Sequence, residues 1–259
     1  MIRALAATEL RVLWRNRTAL FTAGLLPLAL GVFWLFAYPR QTPGQWATVI
    51  ALQLAVVVGM SLYLTATSTI VARRCHLVLN RLRTGELSDS ALLAGLLAPS
   101  VVTALAQLIV LGTADILAGA PAPADPSALA LAVLAGLSLA GTAALATTLI
   151  TPSPERSNVT GLPLVFVLII GAVVLTLDTT GSLPHILMAI PGTTIGRFAA
   201  LAYHGNTWAP GTGGVPAALP AVAALIFWPI MFAALTRKRF RWDQSNRKVG
   251  ISTMESTHE

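Results

Sequence analysis

Thr160-Gly161-Leu162-Pro163-Leu164-Val165-Phe166-Val167-Leu168-Ile169-Ile170-Gly171-Ala172-Val173-Val174-Leu175-Thr176-Leu177 is a stretch without a single charge. Twelve of its residues are large and apolar. At about −0.3 to −0.6 kcal/mol each they favour bilayer insertion by about 5 kcal/mol, more than the roughly 3 kcal/mol that one central arginine costs. Such a segment inserts as a helix without help. The composition of the whole chain agrees: 55% of the 259 residues are hydrophobic and 10% are charged, against about 25% charged in a soluble domain. The expectation is an all-α integral membrane protein.

Outward from residues 160–177, five more apolar runs fall at 19–38, 47–71, 91–117, 127–150 and 217–236, giving six expected spans. Pro27 is expected to kink the first, and Tyr38 and Trp46 bracket a short polar turn, as residues of an interfacial aromatic belt do. In the second, Ser61, Thr65 and Ser68 stand at i, i+4 and i+7, a polar stripe that either lines a pathway or bonds to a neighbouring helix. The fourth repeats small residues every four positions, at Ala128, Ala132, Gly136, Ala140, Ala144 and Thr148. A ridge of this kind admits a close neighbour and places the helix inside the bundle.

The segment 183–203 breaks the pattern. Residues 183–190 and 193–203 are each too short to span and are separated by Pro191-Gly192, so they read as a re-entrant or interfacial helical pair. Residues 1–17 put Ile2, Leu5, Ala6, Leu10 and Leu13 on one helical face and Arg3, Arg11 and Arg15 largely off it, which suits an interfacial helix. Six spans place both termini on one side. Fifteen of the 17 basic residues then fall on that side, in the N-terminal segment, the loops after the second and fourth spans and the tail 237–259; only Arg40 and Arg197 lie opposite. By the positive-inside rule that side is the cytoplasm, and the protein is a multi-pass protein of the cell membrane.

Between the second and third spans lies the basic loop 72–90. Leu77, Leu79 and Leu82 alternate there with Arg73, Arg74, Arg81 and Arg83, before Thr84-Gly85 ends the helical pattern. The loop either offers a soluble partner a grip at the membrane face or carries arginines that only set topology. Other chemistry is not visible. Asp115 and Asp178 fall near the expected outer ends of spans, where water reaches them, and no carboxylate sits at mid-span, as ion-coupled transport would call for. The two lysines, Lys238 and Lys248, follow no glycine, so there is no phosphate-binding Gly-Lys-Ser/Thr loop. The lone Cys75 excludes an internal disulfide, and the four histidines have no metal-ligand spacing. No hydrolase motif is present. Nucleic acid is not an expected partner, because the positive charge is spent on topology.

With these residues in view, the chain resembles the transmembrane subunits of type-2 ABC transporter permeases, which share the six-span fold of ABCG-type exporters. The likeness runs from Thr8-Glu9-Leu10-Arg11-Val12-Leu13-Trp14-Arg15-Asn16-Arg17 through Leu26-Pro27-Leu28 to Leu79-Asn80-Arg81-Leu82-Arg83-Thr84-Gly85-Glu86-Leu87-Ser88, and includes the short paired segments before the last span. In that family the first cytoplasmic loop carries acidic residues and a glycine, then a Leu-Arg-x-Thr-Pro-Leu type of sequence. It forms a coupling helix seated on the ATPase. Arg81, Leu82, Arg83, Thr84 and Leu87 match that pattern, while Cys75 and His76 replace the acidic pair, Leu77 the glycine and Glu86 the proline.

The resemblance implies one permease domain over residues 1–259, with 81–87 as the ATPase-coupling element. It implies an exporter of a hydrophobic or amphipathic small molecule: a drug, an antibiotic or a lipid-like metabolite. The chain would not be catalytic and would hold no cofactor; two separate ATPase subunits would bind the ATP and Mg²⁺. A second permease copy or homologue would complete a path lined by the second and fifth spans, with Ser61, Thr65 and Ser68 as its candidates, in contact with membrane lipid. The cell would be bacterial. The alternative is an ion-coupled secondary transporter or channel.

Overall fold

The computed structural model describes residues 20–75, 89–174, 176, 187, 189–205, 207, 208, 216 and 218–239. Every regular element among them is a helix. Helix α1 opens as a π-helical segment, Leu20–Leu25, and continues as an α-helix over Leu26–Ala37. Helix α2 runs unbroken through Pro43–Val56, a π-helical segment Val57–Leu64, and Thr65–Cys75. Then come α3 (Asp89–Leu117), α4 (Pro126–Thr147), α5 (Pro154–Val174), α6 (Thr193–His204) and α7 (Leu219–Arg239). Five of these, α2, α3, α4, α5 and α7, are long and apolar enough to cross a membrane. The apolar part of α1, Phe21–Ala37, is shorter.

Local chemistry sets the starts. Thr42 and Gln45 form a reciprocal capping box with Pro43 at the first turn, so α2 begins ahead of the apolar run expected at 47. Asp125 caps α4 by accepting from the Ser127 and Ala128 N–H groups. Its carboxyl lies below the usual aspartate range, mainly because the Ser127 hydroxyl donates to it. Pro154 opens α5 six residues before the expected start, with Glu155 in the first turn where the helix dipole favours it.

Helix α2 is the centre of the bundle. It touches α1, α3, α4, α5 and α6, and 83% of its most apolar window is buried, against 17% for α7. The α4 ridge behaves as expected: Ala128, Ala132, Gly136, Ala140, Ala144 and Thr148 are all buried. Gly136 meets Val58 of α2 and Ile195 of α6. Helix α6, too short to span, is packed among α4, α2 and α5 and buries Thr193 through Tyr203 apart from the half-buried Arg197. Outward, Phe21, Phe33, Phe36, Ile109, Ile116, Phe166, Ile170, Phe227 and Ile230 are exposed. In water this surface is an aggregation hazard, whereas in lipid it is the expected exterior.

Two expectations are corrected. Trp46 is not a belt residue: it is 4% exposed in the first turn of α2, and the Arg40 guanidinium lies 5.8 Å from its ring centroid. Its indole is used by the bundle instead of the interface. Asp115 is not on the outer surface at a span end; it too is 4% exposed, and it borders a cleft between helices. The chain turns at Gly119 and runs beside the end of α3, while α2 and α6 cover the carboxyl from the other side. Residues 1–17, the coupling element 81–87, most of 183–190 and the tail beyond 239 lie outside the described residues.

Candidate functional site

An apolar helix bundle has few ways to satisfy a buried polar side chain, so each one that is present reports a specific connection. In α3, Gln107, Leu111 and Asp115 follow at i, i+4 and i+8 and share one side of the helix. All three are buried. The Gln107 amide donates to the carbonyls of Ala23 (2.8 Å) and Gly24 (2.9 Å), in the π-helical segment of α1. Its own oxygen accepts from the Ser61 hydroxyl at 2.5 Å, in the π-helical segment of α2. Widening a helix by one residue per turn disturbs its hydrogen-bond ladder, and one glutamine supports both places where this happens. Below it, Leu111 fills the space left by the missing side chain of Gly31.

Gln53 of α2 makes the second connection. Its amide donates to the Gly31 carbonyl of α1 (3.3 Å) and to Asp115 Oδ1 (2.9 Å). Asp115 makes no ion pair among the described residues. Arg40, whose field reaches it, stands over the rings of Phe36 and Trp46, with the guanidinium carbon 5.6 and 5.8 Å from their centroids.

Asp115 and Gln53 face a cavity of about 480 Å³. Its floor is Ile50, Gln53 and Leu54 of α2; one wall is Leu108, Leu111, Gly112, Asp115 and Ile116 of α3, the other Leu129 and Val133 of α4. Residues 120–123 and Tyr203 of α6 close the end. The cavity exists because α3 and α4, although consecutive, barely touch. Their connection starts against the end of α3, where the Ala120 N–H donates to the Asp115 carbonyl (2.9 Å), and is tied at its other end to α6, where the Asp125 N–H donates to the Ala202 carbonyl (2.9 Å). Tyr203, itself buried, presents the one aromatic ring among the side chains lining the cavity.

The stripe Ser61, Thr65 and Ser68 is on α2 but does not converge on this cavity. Ser61 is fully buried on Gln107. Thr65 donates to the Met60 carbonyl (3.2 Å) and Ser68 to the Thr65 carbonyl (2.9 Å), both half-buried and both bonded within their own helix. At the opposite end of α2 from the cavity, Arg74 is buried and its Nη2 donates to the Thr151 carbonyl (2.7 Å) in the α4–α5 connection. Sequence reasoning passed over Gln107, Tyr203 and the role of Gln53; the four-residue spacing of Gln107, Leu111 and Asp115 in an apolar helix was the available signal. No protein-family model, curated protein or solved structure matches the chain.

Proposed function

We propose that this chain is the permease subunit of an ATP-driven exporter, with α1 joining the five long helices as a sixth span and both termini in the cytoplasm of a bacterial cell. The observation that carries the reading is the Arg81-Leu82-Arg83-Thr84-Gly85-Glu86-Leu87 segment, set between two helices long enough to cross a membrane. On this reading 81–87 docks on one of two separate ATPase subunits, which hold the ATP and Mg²⁺, and a second permease copy or homologue completes the path. The cargo is a hydrophobic or amphipathic small molecule.

The mechanism follows from how α2 is held. A push on 81–87 reaches the end of α2, where Arg74 grips the α4–α5 connection. It also reaches α3, whose Gln107 and Asp115 are bonded to α1 and α2. Closure of the ATPases then biases the bundle between two arrangements of packed helices.

A second reading, an ion-coupled secondary transporter or channel, is favoured by one observation, the buried Asp115. One experiment separates the two. In proteoliposomes containing the permease and its ATPase, Arg81→Glu with Arg83→Glu should leave insertion intact and abolish cargo-stimulated ATP hydrolysis. Undiminished stimulation, or transport that runs on an ion gradient without the ATPase, overturns the exporter reading.

A further inference from the structure

We propose that the cleft between α3 and α4 is a binding site for a small lipophilic amine, whose ammonium is received by the Asp115 carboxylate and whose apolar body lies against Ile50, Leu54, Leu108 and Leu129. The inference rests on the transport reading only in treating this ligand as cargo; the site itself stands on the geometry.

Three observations define the ligand. The cleft is walled almost wholly by aliphatic side chains, so the body of the ligand is apolar. Its volume of about 480 Å³ admits a molecule of one or two fused rings with a short tether. Its acid is 4% exposed and carries one side-chain hydrogen bond, from Gln53, which occupies Oδ1. A carboxylate this little exposed, with one neutral donor, no ion pair among the described residues and only the field of Arg40 to offset its charge, is under-compensated when ionised, and an N–H-bearing cation is the group that stabilises that form. An anionic ligand meets the same carboxylate as a repulsion. A neutral alcohol can donate one hydrogen bond but brings no charge.

Gly112 gives independent access to the site. It lines the cleft, and a Cβ built there meets nothing within 4 Å. Gly112→Leu therefore puts an isobutyl group into open space at the cleft and leaves Asp115 itself unchanged, and a leucine is a better helix residue than glycine, so the fold is expected to be retained.

The test is equilibrium binding of 2-(1-naphthyl)ethylamine and 2-(1-naphthyl)ethanol to the purified full-length permease in nanodiscs, without any ATPase. The amine is expected to bind at least about tenfold more tightly than the alcohol, the usual margin for a charged hydrogen bond. Asp115→Asn should bring the amine down to the alcohol's affinity, and Gly112→Leu should remove both. Equal binding of the two by the wild-type protein, binding of neither, or amine binding that survives Asp115→Asn or Gly112→Leu overturns the proposal. Since no ATPase is present, these results stand apart from the coupling experiment: the cleft can fail while coupling holds, and the reverse.

Discussion

Gln107 shows what a single side chain does when water is scarce. Its amide joins three helices, with two donated bonds to α1 and one accepted from α2. Leucine in its place keeps the volume but leaves two carbonyls and the Ser61 hydroxyl to find other partners. Interhelical hydrogen bonds inside membranes are worth about 0.6 kcal/mol on average and about 1.7 at most. Gln107→Leu is therefore expected to destabilise the bundle by about 1–2 kcal/mol, read from reversible unfolding in mixed micelles. A stability equal to wild type would mean that the π-helical segments do not need this support. Ser61 belongs to the same connection, which accounts for its burial more directly than a position on a pathway does.

At the scale of elements, α5 and α6 approach backbone to backbone at their glycines. A side chain built at Gly196 would run into the Ala172 carbonyl, and one at Gly171 would stand 2.7 Å from the Pro191 carbonyl. Gly192, at φ +97°, makes the turn into α6 in a conformation that L residues avoid, with Leu168 O 2.6 Å from where a Cβ would sit. Backbone atoms cannot swing aside as a flexible side chain does. Gly196→Ala should cost about 3 kcal/mol, at the upper end for overpacking. Gly141, in α4, is the contrast: nothing lies within 4 Å of a methyl placed there, and Gly141→Ala should be neutral or gain up to about 1 kcal/mol. Thermal denaturation of the two variants side by side checks the pair. Similar midpoints would show that the α5–α6 seam yields readily.

For the molecule as a whole, the distribution of charge and the order of helices make a topological prediction. On the six-span arrangement Ala122, in the exposed α3–α4 connection, faces outward, and Glu155, exposed at the start of α5, faces the cytoplasm. In a Cys75→Ser background, a membrane-impermeant thiol reagent applied to intact cells should label Ala122→Cys and spare Glu155→Cys until the cells are opened. The reversed pattern would invert the bundle and put residues 81–87 outside the cell.

Much of this was legible in the chain. Apolar length marked the helices, because a hydrocarbon layer filters for about 20 consecutive apolar residues whatever their neighbours are. The ridge from Ala128 to Thr148 marked the face that others approach, since small size acts at any interface. The capping residues Thr42 and Asp125 are local signals and are readable as such. What tertiary structure alone decided is which polar residues meet. Gln53 and Asp115 are 62 positions apart, and Tyr203 lies on a third element; nothing local to any of them says that they border one cavity. Nor does the position of Asp115 near a span end say that it is buried, because burial is set by how α2, α6 and the α3–α4 connection fold around it. Hydropathy is a sum over neighbours in sequence, whereas a site depends on distances between elements that only packing determines.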